Sequence, residues 1–344
     1  MATIKDVAER ASVSTATVSY VLNGTGTVTD ATRQRVLAAA AALSYQPNHA
    51  ARSLRSRSRT LGLVLPPRAA RLSDPAMADL VDGLAEAAAA RGYFLLLANA
   101  SDEQPEELLG EQLLRSGRVD GLVLLDLRAD DARVRHLLTL GAPIICAGPP
   151  QSSQGCPCVG LDSYGGARAA TSHLLSLGHR LVAQITPPSD LAESELFFQG
   201  YADALAEAGV ELDPSYTVES GATQDDGMAA MQELLALPEP PTAVFAASDT
   251  LAFGAMHALR DAGIEVGRAI SLVGCGDAPL AAHTHPPLTT LRAPRHALGL
   301  ALAARLISQV ERQPSSPDAA LGMQLIVRRS TAPLRCDSTE TLRR

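Results

Sequence analysis

From Leu61 onward the chain repeats one pattern: a short, nearly continuous apolar run, then an amphipathic stretch, several of which close in glycine. The runs are LGLVLP, YFLLLANA, DGLVLLDL, APIICAG, CVGLD, RLVAQIT, TAVFAAS and AISLVGCG. Without alternation, runs of this length read as strands covered on both faces. The stretches between them end at Gly178, Gly209 and Gly263, where a helix can exit through a left-handed residue. Strands separated by helices pair in parallel, so the expectation is an α/β body of doubly wound parallel sheets. Roughly 280 residues of this pattern exceed a single core, which implies two lobes, with ligands binding between them at the carboxyl ends of the strands.

The first 60 residues follow a different period. In ASVSTATVSYVLNG, residues 11–24, Val18, Val21 and Leu22 fall at i, i+3 and i+4, the spacing of a helix. Ser14 is placed to cap it and Asn23-Gly24 to release it, which leaves Thr15, Ala16, Ser19 and Tyr20 facing outward. Upstream, Thr3 to Asp6 has the form of a capping box, and Ile4, Val7, Ala8 and Ala11 make a second apolar stripe. A tight turn around Ser12-Val13 joins the two helices. Thr29 can cap a third through about Ser44, with Val36, Leu37, Ala40 and Leu43 inward and Pro47 ending it. Taken alone, such a hairpin is equally an ordinary helical pair with a solvated face.

Between module and body lies NHAARSLRSRSRT, residues 48–60, too short to hold a helix alone in water. It reads as a linker that orders only against a partner. The expected organisation is an all-α headpiece over 1–47, a hinge and linker over 48–60, a two-lobed body over 61–333 and a polar tail over 334–344.

The net charge of -8 argues against a nucleic-acid partner for the chain as a whole. Its distribution reverses that for the module: residues 1–60 carry a net of +5 and the remainder -13. No run of apolar residues is long enough to span a membrane, so a cytoplasmic protein without a membrane partner is expected. Five cysteines form no disulfide framework, and Cys156-Pro157-Cys158 reads as two free thiols near a strand start. His283-Thr284-His285 reads as loop. Gly274-Cys275-Gly276 begins like a dinucleotide fingerprint, but Pro279 stands at the third glycine and no helix is expected there. Phosphate loops, nucleophile elbows and metal-spaced clusters are missing. No catalytic residue, cofactor or metal is expected, and Asp162, Asp249 and Asp277 at strand ends can equally cap helices or bond a ligand.

The order of TIKDVAERASVSTATVSYVLNG, NHAARSLRS, and a body containing GLDSYGGARAATSHLLSLGHR and PPLTTLRAP resembles the LacI/GalR family of bacterial transcription repressors, from Thr3 to about Ser330. The resemblance implies a helix-turn-helix headpiece, a hinge helix and a core like the periplasmic sugar-binding proteins. It further implies a homodimer, or a dimer of dimers, on double-stranded operator DNA, with affinity set by a small-molecule effector not yet identified. The second helix would then enter the major groove of a near-palindromic site. Thr15, Ala16 and Tyr20 match the base-reading positions; Thr3, Ser14, Thr17, Ser19, Asn23 and Thr25 complete the expected DNA contacts. Leu54 matches the family's minor-groove wedge, with Arg55 on the phosphates beside it.

At the effector end the chain departs from sugar-binding relatives. Asp74 to Met77 and Thr223 stand where aromatics are common, Phe197 where an arginine is common, Ser248 for an asparagine and Gly276 for an aspartate. With Asp162, Tyr164 and Asp249 these are the expected effector contacts, and they imply a ligand other than a plain hexose. The alternative is a small-molecule, sugar-type binding protein without a DNA role.

Overall fold

The computed structural model describes residues 4–23, 28–43, 58–66, 74–314 and 317–334. The chain forms two compact units, Met1–Ser58 and Arg59–Arg344.

The first unit holds α1 (Ile4–Ala11), α2 (Thr15–Asn23) and α3 (Asp30–Ala42). Small apolar residues let short helices approach closely, and Val7, Ala8, Ala11, Val18, Val21, Val36, Ala39 and Ala40 form one core. The hydroxyl of Ser14 accepts the Thr17 amide at 3.1 Å, and that of Thr29 the Thr32 amide at 3.4 Å, so both expected caps are present. The chain reverses at Ser12, left-handed at φ 53°, and the Val13 amide donates back to Ala8 at 3.0 Å. One expectation fails: Leu37 is 49% exposed. The inward set of α3 is Val36, Ala39, Ala40 and the partly buried Leu43, which turns residue 37 outward.

In the second unit, the first lobe runs β1 (Thr60–Leu65), α4 (Pro75–Ala90), β2 (Phe94–Asn99), α5 (Glu106–Arg115), β3 (Gly121–Leu124), α6 (Ala132–Thr139), β4 (Ile144–Ala147) and β5 (Cys158–Leu161). The chain then crosses to the second lobe: α7 (Ser163–Ser176), β6 (Val182–Thr186), α8 (Ala192–Glu207), β7 (Thr217–Glu219), α9 (Gln224–Leu235), β8 (Ala243–Ala246), α10 (Asp249–Asp261), β9 (Ser271–Cys275) and β10 (Thr289–Arg292). It returns for α11 (Arg295–Glu311) and β11 (Ala319–Leu321), and crosses again to β12 (Gln324–Ile326). The sheet orders are β11-β5-β4-β3-β1-β2 and β12-β10-β9-β8-β6-β7.

Each of the eight apolar runs is a strand, and all pairing is parallel except that of β10 with β12. Four strands lie outside these runs: β7, β11 and β12 are three-residue edges with exposed positions, and β10, TTLR, is buried but rich in threonine, so no continuous apolar run marks them. Both sheets are covered on two faces by helices, giving cores on either side of each. The amino end of α11 sits against α4, because Gly83 and Gly299 remove the side chains there. A Cβ on Gly83 would lie 2.1 Å from the His296 carbonyl. This close packing fixes the first residues of α11 beside the cleft.

Candidate functional site

The headpiece presents one face of α2. Thr15, Ala16 and Tyr20 are exposed, Tyr20 by 51%, while Val18 and Val21 anchor the opposite face in the core. Thr17 and Ser19 are half-buried, and the Thr17 hydroxyl bonds that of Ser14 at 2.9 Å. An exposed tyrosine between small residues is a probe for an uneven surface such as a groove edge. Asn23 is the last residue of α2. Thr3, Thr25, Leu54 and Arg55 lie outside the described residues.

The body contains a cleft pocket that is open to solvent. Its walls are apolar: Met77 and Leu80 from α4, Leu125 and Leu127 after β3, Leu161 ending β5 and Leu298 from α11. Gly148, Pro149 and Gly160 offer backbone, Leu191 and Glu193 come from the start of α8 in the second lobe, and Asp126 and Arg295 complete the polar lining.

The loop after β3 is held from behind by a buried ion cluster. Arg133 donates to Asp131 at 2.6 Å and to Glu106 at 2.5 Å, and its second guanidinium nitrogen reaches the carbonyls of Asp126 at 2.8 Å and Leu125 at 3.2 Å. All three side chains are buried. Burial pushes the Glu106 carboxyl up despite Arg133; at Asp131 burial pushes the same way, but the Arg133 bonds and charge prevail and hold the carboxyl low. The cluster thereby sets Asp126, at φ 51°, into the pocket wall. Nothing in the local sequence pairs Arg133 with Glu106, 27 positions apart, so sequence reasoning missed this support.

None of the eight expected effector residues lines this pocket. Asp74, Asp162, Thr223 and Ser248 are helix caps, accepting the amides of Ala76, Gly165, Asp226 and Leu251. Tyr164 donates to Asp203 at 2.8 Å between α7 and α8. Phe197 is 2% exposed, its ring 6.0 Å from that of Phe245. It fills the second lobe's core and offers the cleft no aromatic face, which corrects the expectation. Asp249, 4% exposed, accepts from the Thr290 hydroxyl at 2.5 Å and the Ala278 amide at 2.6 Å. Burial pushes its carboxyl up to about 6 against those bonds. Gly276, at φ 140°, passes directly above it: a Cβ there would lie 3.3 Å from the carboxylate. Asp277 is paired with Arg328 at 2.6 Å and Arg292 at 2.7 Å. These acids organise the loops after β8 and β9. The pocket residues Asp126, Glu193 and Arg295 carried no motif that would have singled them out.

Among the described residues no helix is long and apolar enough to cross a membrane, and no cluster of histidine, cysteine or acidic residues could hold a metal. Cys146, Cys156, Cys158 and Cys275 are free, buried thiols.

Residues 3–48 match the family described as bacterial regulatory proteins, lacI family, and residues 171–331 match the periplasmic binding protein-like domain. The transcriptional repressor CytR of Escherichia coli strain K12 is 34% identical over 97% of this chain and 97% of its own length. The transcriptional regulator CelR of Thermobifida fusca is 36% identical over 95% of this chain and 98% of its own. Among solved structures, a CelR-cellobiose complex superposes at TM-score 0.73 with 35% identity, covering 96% of this chain and 100% of that one. The lac repressor dimer bound to operator and the anti-inducer ONPF superposes at 0.84 with 28% identity, covering 96% and 99%. A three-helix headpiece with an exposed reading face, a two-lobed body with a cleft, and likeness along nearly the whole length lead to one conclusion: the chain belongs to the lacI family of bacterial DNA-binding transcription regulators.

Proposed function

We propose that this chain acts as a homodimeric repressor, in which two copies of α2 read a near-palindromic operator and a small molecule in the inter-lobe cleft sets the affinity. The observation that carries the reading is α2 itself: Val18 and Val21 are buried, and Thr15, Ala16 and Tyr20 stand free on the opposite side. Ala16 offers a methyl suited to thymine or to close approach, and Tyr20 reaches furthest into a groove. Two headpieces on one duplex face require half-site centres roughly 34–36 Å apart.

A dimer is supported by the outer edge of the first lobe. Strand β2 ends the sheet with Phe94 68% and Leu97 42% exposed, an unpaired edge with apolar side chains of the kind that a second copy covers. The solved lac repressor relative is a dimer on operator DNA. A carbohydrate-type effector is supported by the solved CelR-cellobiose relative.

Sedimentation and duplex binding test this together. The wild-type chain should sediment as a dimer and select a palindromic duplex from a random pool. Phe94→Asp should give a monomer whose duplex affinity falls by roughly 100-fold or more, the advantage that linking two headpieces confers. A monomeric wild type that binds a single half-site equally well would overturn the dimeric reading.

A further inference from the structure

Arg295 opens α11 and lines the cleft pocket together with Glu193 and Asp126. Its Nε is buried and has no hydrogen-bond partner. The other arginines packed into the lobes are engaged: Arg133 with Asp131 and Glu106, Arg305 with Asp318, and Arg328 with Asp277. A buried guanidinium N–H without an acceptor is costly, and an oxyanion bound beside the partly buried Arg295 would supply the missing acceptor and countercharge. Glu193 is differently placed. It accepts the Ser163 hydroxyl at 2.6 Å and stands in the first turn of α8, where helix amides offset its charge.

We propose that the cleft takes a small hydroxylated carboxylate, with Arg295 as the residue that recognises its carboxylate; this rests on the effector reading above. The planar guanidinium fork matches a carboxylate bidentately. Glu193 and Asp126, acceptors when ionised, match hydroxyl donors on the remainder of such a ligand. Charge chooses among oxyanions: the pocket sets one cation against two carboxylates, so a singly charged group with neutral hydroxyls fits better than a doubly charged phosphate ester. Met77, Leu125, Leu161 and Leu298 accept an aliphatic face, and no aromatic ring in the lining is available to stack on a pyranose.

The test uses the full chain in thermal-shift and calorimetric titrations with glucuronate, gluconate, glucose, cellobiose and glucose 6-phosphate. The expected result is saturable binding of glucuronate or gluconate, ~30-fold or more tighter than glucose, the factor that a desolvated charge pair supports. Arg295→Gln should abolish that preference and Arg295→Lys should restore part of it, with the unliganded melting temperature reporting that each variant folds. Preference for glucose, cellobiose or the phosphate ester overturns the proposal, as does an acid preference that survives in Arg295→Gln, or binding of none of the five. Selective duplex binding by the same preparation separates the two readings: if it persists while the carboxylates fail, only the ligand class is wrong.

Discussion

The backbone amide of Ala192 donates to the carbonyl of Leu127 at 2.8 Å, so the amino end of α8 in the second lobe is bonded to the loop after β3 in the first. Arg128 and Leu191 form an isolated antiparallel bridge beside it, and the Ala192 side chain, 6% exposed, sits in the first lobe's core. This is a small join: one methyl group and a few polar bonds keep the lobes together at the pocket. A join this small can be biased by a ligand that bonds both lobes.

Ala192→Phe should therefore wedge the lobes apart. Overpacking costs about 1–3 kcal/mol, and separating the lobes relieves it. Small-angle scattering should show a larger radius of gyration, and cleft ligands should bind more weakly. By contrast Arg128→Ala removes only a 3.1 Å pair to Asp190 in which both side chains are largely exposed, worth less than about 1 kcal/mol and screened by salt. If Ala192→Phe leaves both radius and ligand affinity at wild-type values, the join does not govern closure.

Arg133→Met leaves Glu106 and Asp131 buried with their shared cation gone. Removing one member of such a cluster destabilises by about 3–5 kcal/mol. Urea denaturation should show this loss, and the pocket wall at Asp126 should loosen, so that hydrogen exchange in residues 125–128 accelerates beyond the global effect. A loss below about 1 kcal/mol would mean that water reaches the cluster.

Much of this architecture was legible beforehand and part was not, for physical reasons. The eight apolar runs are strands because burial on both faces leaves an unbroken signal, and Ser14 and Thr29 cap because a hydroxyl at a helix start has one local use. Edge strands such as β11, AAL with two exposed positions, lack that signal. The expected effector residues have local partners of their own. Asp162, Thr223 and Ser248 satisfy amides of their own helices, and Phe197 satisfies the core, so residue type at a familiar position did not determine direction. Arg295 and Glu193 line one pocket only because two lobes come together, which no local pattern encodes.

Asp249 gives a pH signature. Burial raises its carboxyl to about 6, whereas an unfolded aspartate titrates near 3.9. Between those values the folded state keeps a proton that the unfolded chain has lost. The group's contribution is fully present below about 4 and is lost as pH rises through about 6, a change of about 3 kcal/mol. Subtracting the Asp249→Asn stability profile from that of the wild type should expose this falling component between pH 4 and 6.5. A flat difference would show that the carboxylate ionises freely in the folded protein.

Sequence selection on random duplex DNA tests the reading of α2 most directly, comparing the wild-type chain with Tyr20→Ala. Tyr20 is 51% exposed, so its truncation should shift folding stability by less than about 0.5 kcal/mol. The wild type should enrich a near-palindromic site. The variant should enrich the same site with preference relaxed at one position in each half, by about 1–3 kcal/mol in discrimination, the two positions related by the site's symmetry. Failure of the wild type to enrich any sequence, or a variant whose selected site is unchanged at every position, would contradict the assignment of α2 as the reading helix.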